Sequence, residues 1–245
     1  MEVNNKIRIA KFLAEAGVAS RRKAEDIISA GKVKIGTEVV KNLATKVSPD
    51  ADDIFVNGKK ITIEHKVYYL LHKPVGTLSS VSDPHYKETV LKFVPRHPRV
   101  FPVGRLDKDS SGLLLLSNDG DLTYKVTHPK FEVKKTYLVT INKDIDKKDV
   151  AQLKKGVQLT EGIAKADHVV IKEKRKMEIV VHQGWNRQIR RMLGEFGYGV
   201  MELQRIKEEF SEDDIKDFRI HFGKKLQELK NYSLYSESLQ NETNS

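Results

Sequence analysis

The stretch Val103–Leu122, VGRLDKDSSGLLLLSNDGDL, decides how the rest of the chain reads. Leu113 to Leu116 form an unbroken apolar run, with Gly112 before it and Asn118–Gly120 after it. A short continuous run between such flanks reads as a buried strand. Arg105, Asp107, Lys108 and Asp109 come directly before it. A polar loop on the lip of a rigid core strand is where a fold can hold a reactive group still.

The loop DKDSSG admits three readings. The first is a calcium loop, whose twelfth position requires a bidentate Glu. Counted from Asp107 that position is Asn118, and leucines occupy the stretch that should supply oxygens. The second is a plain polar turn, the default for an Asp/Ser/Gly cluster. The third is catalytic: a carboxylate at a strand lip can act as nucleophile or base if a cation keeps it ionised. Arg105 offers such a cation locally, and GWNRQIRRML offers more further on. There Arg187, Arg190 and Arg191 stand at i, i+3 and i+4, which places all three on one helical face. A carboxylate or an RNA phosphate would relieve their repulsion; a solvent-facing basic stripe is the plainer alternative.

Composition narrows the partners. The chain has 245 residues, with 44 Lys plus Arg against 34 Asp plus Glu, a formal charge of +10. Such a balance favours an anionic partner, nucleic acid above all. There is no cysteine, which excludes disulfides, thiol catalysis and cysteine-ligated zinc. The start, MEVNNKIRIAKF, lacks the apolar core of a signal peptide. No apolar run approaches the roughly 18 residues of a membrane span. A cytoplasmic protein is expected.

Upstream, residues 7–30 carry helical spacing at Ile9, Phe12, Leu13 and Ala16. Gly17 is placed to stop the first helix, Ser20 to cap a second, and Gly31 to end it. Short strands follow in KVKIG, EVV and DDIFVNGKKI, with turns at Gly36–Thr37 and Asn57–Gly58. TIEHK, residues 62–66, reads as a linker. From Val67 onward strands and helices mix without a strict βαβ rhythm, which predicts an α+β fold with a largely antiparallel sheet. AKADHVVIKE and KMEIVVHQG read as an antiparallel pair, VMELQRI as a further strand, and NRQIRRMLGEFGY as a helix opened by Asn186. The Ser/Asn-rich end, residues 231–245, is expected to be disordered.

Arg21, Arg22 and Lys23 lie in the first turn of the second helix, where backbone N–H groups already favour phosphate. Lys11, Lys32 and Lys34 could extend that patch. The stretch IRIAKFLAEAGVASRRKAEDIISAGKVKI resembles an S4 RNA-binding domain, covering about residues 6–64. It departs at Gly36–Thr37, where the family usually has an Asn-Gly turn.

A second resemblance covers the rest. GRLDKDSSGLLLLSNDGDL, THPKFEVKKTYLV and GWNRQIRRM are similar, in order and spacing, to the signature segments of the bacterial S4-domain-containing ribosomal RNA pseudouridine synthases. YLLHKPVGTLSSVSDPH fits too, with His72 where the family usually shows Asn. The likeness runs to about Ile206. It implies a catalytic domain over residues 67–230 with a mixed, mostly antiparallel sheet flanked by helices. It implies Asp107 as the catalytic aspartate and Arg190 as its ionic partner. Tyr137 would pack on the target base, and is a candidate to take the C5 proton, through water. Arg105 would help hold that base out of the RNA helix, with Arg187 and Arg191 as further RNA contacts. The reaction needs no cofactor and no metal. Ribosomal RNA is the expected partner, 23S over 16S, met as RNA or as a precursor particle by a monomer. The rivals are a non-catalytic S4-type assembly factor and a metal-dependent nuclease using Asp107, Asp109 and Asp119. Past Ile206 the acidic run EEFSEDD departs from the family and is expected away from the RNA, while Gly223 and Leu229 could echo its end.

Overall fold

The computed structural model describes residues 6–209. The expectations for residues 210–230 and for the 231–245 tail lie outside the described residues. The chain forms an α+β protein of two compact units. The first holds, among the described residues, 6–68 together with 95–101 and 117–120. The second holds 69–94, 102–116 and, among the described residues, 121–209.

In the first unit, β1 (Ile7–Arg8) leads into α1 (Ile9–Glu15), which buries Ile9, Ala10, Phe12 and Leu13. Gly17 and Gly31 take left-handed φ values of 71° and 68° just past the two helices, as their stop positions require. Helix α2 (Arg21–Ser29) starts at Ser20, whose hydroxyl accepts the Lys23 N–H at 3.4 Å. Then come β2 (Val33–Ile35), β3 (Glu38–Val40), β4 (Lys46–Val47), β5 (Ile54–Val56) and β6 (Lys59–Ile61). Four of them form an antiparallel sheet in the order β3-β2-β5-β6, and β1 pairs with β4. Ile9, Phe12, Leu13, Ala24, Ile28, Val33, Val47 and Ile54 make a closed core between helices and sheet. Asn57 and Gly58 both have positive φ, the tight-hairpin signature. At the other turn Gly36 has φ 57° and Thr37 does not join it, so the two turns differ in kind.

The stretch expected as a linker is clasped at its end. Asn118 accepts the Val67 N–H at 2.8 Å and donates to the His65 carbonyl at 2.9 Å. Asp119 accepts the Tyr68 hydroxyl at 2.8 Å and pairs with Lys66 at 2.9 Å. The third carboxylate of the nuclease reading is thus engaged with the chain's own residues.

The second unit is built on β7 (Tyr68–Lys73), β8 (Phe101–Pro102), β9 (Ser111–Ser117), β10 (Lys135–Ile141), β11 (Val157–Leu159), β12 (Gly162–Ala164), β13 (His168–Glu173), β14 (Lys176–Val181) and β15 (Val200–Glu208). Its main sheet runs β13-β14-β10-β15-β9-β7, with β8 on β9. The β13–β14, β14–β10 and β10–β15 pairs are antiparallel, and β15–β9 is parallel. Leu113–Leu116 are buried as expected, because β9 lies inside the sheet. Gly112 is required there: a Cβ would collide with the backbone of Arg205 on β15. Helices α3 (Gly120–Thr127), α4 (Lys147–Lys155) and α5 (Gln188–Gly194) accompany the sheet. Val139, Ile141, Leu153, Met177, Ile179, Met192 and Leu193 form the core between β10, β14, α4 and α5. The β11–β12 hairpin has no clear counterpart in the sequence pattern.

Asn186 does not open α5. The position before the helix is Arg187, in the left-handed region at φ 49° and with no side-chain cap. No helix among the described residues is long and apolar enough to cross a membrane.

Candidate active site

The loop before β9 is fixed from the segment that follows β7. The Ser79 hydroxyl donates to the Leu106 carbonyl at 2.9 Å and accepts its N–H at 3.1 Å. The Gly76 N–H donates to the Lys108 carbonyl at 2.7 Å. Lys73 Nζ donates to the Ser110 carbonyl at 2.7 Å and to the Pro74 carbonyl at 3.0 Å. Ser110 N–H closes the turn on the Asp107 carbonyl at 3.1 Å. With its backbone pinned at these points, the loop presents Asp107 with little freedom.

Lys73 is fully buried. Burial pulls its ammonium down to about 8, against the opposing pull of Asp107 and Asp109. Sequence pattern alone does not single it out. The one signal is its place in HKP, directly after an apolar strand and within a segment that resembles the family.

Beside the loop lies a cavity of about 290 Å³. Arg105, Asp107, Tyr137, Arg187, Arg205 and Glu208 are among its walls. Asp107 is half-buried and Arg105 exposed. Tyr137 is half-buried on β10, opposite Arg205 on β15. Burial pushes its phenol up, with the Arg205 charge working against that push. The cavity therefore unites Arg105, Asp107, Tyr137 and Arg187.

The three arginines near α5 part company. Arg187 makes a two-pronged bond to Asp109, Nη1 to Oδ1 at 2.9 Å and Nη2 to Oδ2 at 2.8 Å. This bond holds the Asp109 carboxyl below its ordinary range and raises the guanidinium. Arg190 does not pair with Asp107 as expected. Its Nε lies 3.4 Å from Asp109 Oδ2, Nη2 donates to the Asp109 carbonyl at 2.8 Å, and Nη1 to the Val200 carbonyl at 3.1 Å. The Val200 carbonyl anchors the guanidinium from the strand side, and the turn at Asp107–Ser110 brings Asp109 to it. Burial lowers the Arg190 pKa, Asp109 and Asp107 opposing it at decreasing strength. Arg191 leaves the group, binding Glu161 at 2.7 and 2.8 Å and Thr160 at 3.1 Å. Its bond is the chief reason that the Glu161 carboxyl falls to about 2.

In the first unit, Arg21, Arg22, Lys23, Lys32 and Lys34 are all exposed. Lys11 is half-buried and lies 3.5 Å from Glu15. The sequence-predicted site residues thus divide between the two units.

A pinned acidic loop, a wall tyrosine and converging arginines on a mixed sheet, in a chain that also carries a small αα-β module, define a class. The chain belongs to the RNA pseudouridylate synthase family, whose model matches residues 67–195, and carries an S4 domain over residues 7–54. It is accordingly an isomerase. It is 43% identical over 205 residues to ribosomal large subunit pseudouridine synthase B of Bacillus subtilis, covering 81% of this chain and 84% of that one. It is 36% identical over 207 residues to the dual-specificity RNA pseudouridine synthase RluF of Escherichia coli, covering 83% and 70%. A crystal structure of a pseudouridylate synthase superposes with a TM-score of 0.58 at 31% identity, over 82% of this chain and 88% of that one.

Proposed function

We propose that the chain converts a specific uridine of ribosomal RNA, in 23S rather than 16S rRNA, to pseudouridine, with Asp107 acting at the ribose. The observation that carries this reading is the pinned Asp107 loop opening on a cavity that also holds Tyr137 and Arg105. The choice of 23S rests on likeness to a relative named for the large subunit. In this reading the protein works as a cytoplasmic monomer on the RNA or on a precursor particle.

To reach Asp107 in the cavity wall the uridine leaves its stack. That costs a few kcal/mol, recovered by stacking and hydrogen bonding in the pocket. Exposed Arg105 fills the gap at the rim, and the Tyr137 ring packs on the base. Asp107 then either attacks C1′ or removes the 2′ proton. Arg187 and Arg190, both committed to Asp109, keep its loop in place and add positive charge nearby. A phenol pushed up by burial stays protonated, so Tyr137 suits contact with the base better than direct removal of the C5 proton. The S4 unit supplies affinity through Arg21, Arg22, Lys23, Lys11, Lys32 and Lys34.

The test is Asp107→Asn. The variant should bind the rRNA substrate with unchanged affinity and form no pseudouridine, read by nucleoside digestion and by mapping in a deletion strain. Product formed at the wild-type rate would remove Asp107 from the mechanism. A pseudouridine lost only from 16S rRNA on deletion would overturn the 23S assignment.

A further inference from the structure

The cavity wall holds a charged group that the proposed mechanism does not use. Arg205 stands on β15 with a residue exposure of 1%. Its Nε donates to the Leu113 carbonyl at 2.7 Å. Its Nη1 lies 3.7 Å from Glu208 Oε1, its Nη2 is enclosed by protein, and the Tyr137 hydroxyl also interacts with the guanidinium. Glu208 is shared: Lys135 Nζ lies 3.8 Å from the same oxygen. All three side chains, with Tyr137 and Asp107, line the one cavity. Two cations thus stand around one carboxylate, both at long range.

Burial works against the charge on Arg205, but Glu208 and Tyr137 outweigh it, so the guanidinium remains a cation. A fixed cation therefore stands in the wall of the cavity that Asp107 and Tyr137 also line.

We propose that Arg205 stabilises the uracil anion released from the ribose, as a fixed cation in the wall of the cavity. This rests on the uridine reading above and deepens it. When the N1–C1′ bond breaks, both electrons leave with the base, and the charge spreads over N1, O2 and O4. C1′ is meanwhile satisfied by Asp107, through a bond to its carboxylate or through loss of the 2′ proton to it. C5 then bonds to C1′, the Asp107 bond or proton is returned, the C5 proton departs, and N1 gains one. Nothing is oxidised or reduced. A preorganised charge helps most where opposite charge develops. Arg205 supplies such a charge, and Glu208 and the Leu113 carbonyl hold it in place.

The experiment compares wild type, Arg205→Lys and Arg205→Met in single turnovers on rRNA substrates carrying uridine or 5-fluorouridine at the target. Consumption of the nucleoside is followed by digestion and chromatography. Fluorine stabilises the base anion by itself. Arg205→Met should slow uridine consumption by about 10²-fold with KM little changed. On 5-fluorouridine the deficit should shrink at least several-fold, and Arg205→Lys should fall between. Equal deficits on both substrates, or a change confined to KM, would overturn the proposal. If Arg205→Met melts out, wild-type calorimetry decides. At neutral pH the anionic 5-nitrouracil should bind more tightly than neutral uracil, and equal or weaker binding overturns the proposal. A wild type that makes no pseudouridine in rRNA defeats the substrate reading instead, and the 5-nitrouracil titration still judges Arg205.

Discussion

Arg187 holds Asp109 by both guanidinium nitrogens, at 2.9 and 2.8 Å, across 78 residues of sequence. Two parallel bonds of this kind fix orientation as well as distance. They tie the start of α5 to the loop that carries Asp107. Asp109→Asn should therefore cost catalysis more than stability. Both side chains are 45% exposed, so the ion pair adds little to folding. Loss of loop placement should lower the single-turnover rate by about tenfold to a hundredfold. The melting temperature should stay within a degree or two of wild type. A variant with full activity would reduce the pair to a surface contact.

The same pair sets an acid limit. Asp109 titrates below its ordinary range when folded, so its contribution is complete above the unfolded carboxylate value of about 4. It is lost as pH falls through the folded value. In wild type the site should hold at pH values where an unpaired aspartate would already be protonated. Asp109→Asn should remove that part of the acid dependence, seen as a flatter low-pH limb in the rate profile.

Lys73 acts at the other end of the pH scale. Its pKa of about 8 when folded lies below the ordinary 10.5 because it is buried. Between those two values the unfolded chain binds more protons than the folded one. Stability gained from this group therefore rises with pH across that window, and the burial cost is full below it. The ammonium is also a cation close to Asp107 and Asp109, so the rate should fall as pH passes about 8 even while the fold tightens. Lys73→Met should abolish the stability rise in urea titrations. It should also loosen the loop, since the Ser110 and Pro74 carbonyls lose their donor. A wild type with parallel pH trends in rate and stability would contradict this.

The basic side chains should not contribute equally to RNA affinity. Arg191 is already neutralised by Glu161, whereas Arg21 and Arg22 are exposed at the start of α2. Arg21→Ala with Arg22→Ala should weaken binding. The slope of log K against log salt should drop by roughly 0.7–0.9 for each phosphate that is no longer neutralised. Arg191→Ala should change that slope less than either. Fluorescence anisotropy across a salt series measures both.

What the sequence could not reveal has a common cause. Leu113–Leu116 announced a buried strand because apolar runs report burial directly. The α1 and α2 pattern was legible because helix spacing, Ser20 and the two glycines are local signals. Lys73 and Arg205 were not, since a charged residue is buried only when distant carbonyls receive it. Their acceptors, Ser110 and Leu113, lie 37 and 92 residues away. The arginine trio misled for a related reason. Spacing placed all three on one helix, but the helix begins at Gln188; Arg187, before it, and Arg190 share Asp109, while Arg191 turns to Glu161. The Arg190–Asp107 pairing came from family likeness and not from periodicity. The anchor at Val200 depends on β15, which no local pattern could place against α5.

Gly112 tests whether the β9–β15 pairing positions the cavity wall. Arg205 pairs with Gly112 across the parallel strands, and a Cβ at Gly112 would strike the Arg205 backbone. The φ of 107° also disfavours any residue with a side chain. Backbone cannot give way as a flexible side chain can, so Gly112→Ala should destabilise the second unit by about 3 kcal/mol or more. Gly76→Ala is the control. It too has positive φ, at 90°, but nothing lies within 4 Å of its Cβ. It should cost only about 1–2 kcal/mol of backbone strain. The sole tryptophan, Trp185, stands in the same unit and reports its unfolding in urea. Equal losses for the two variants would mean that β9 and β15 can slide apart without penalty, and that the wall carrying Arg205 is not fixed by this pairing.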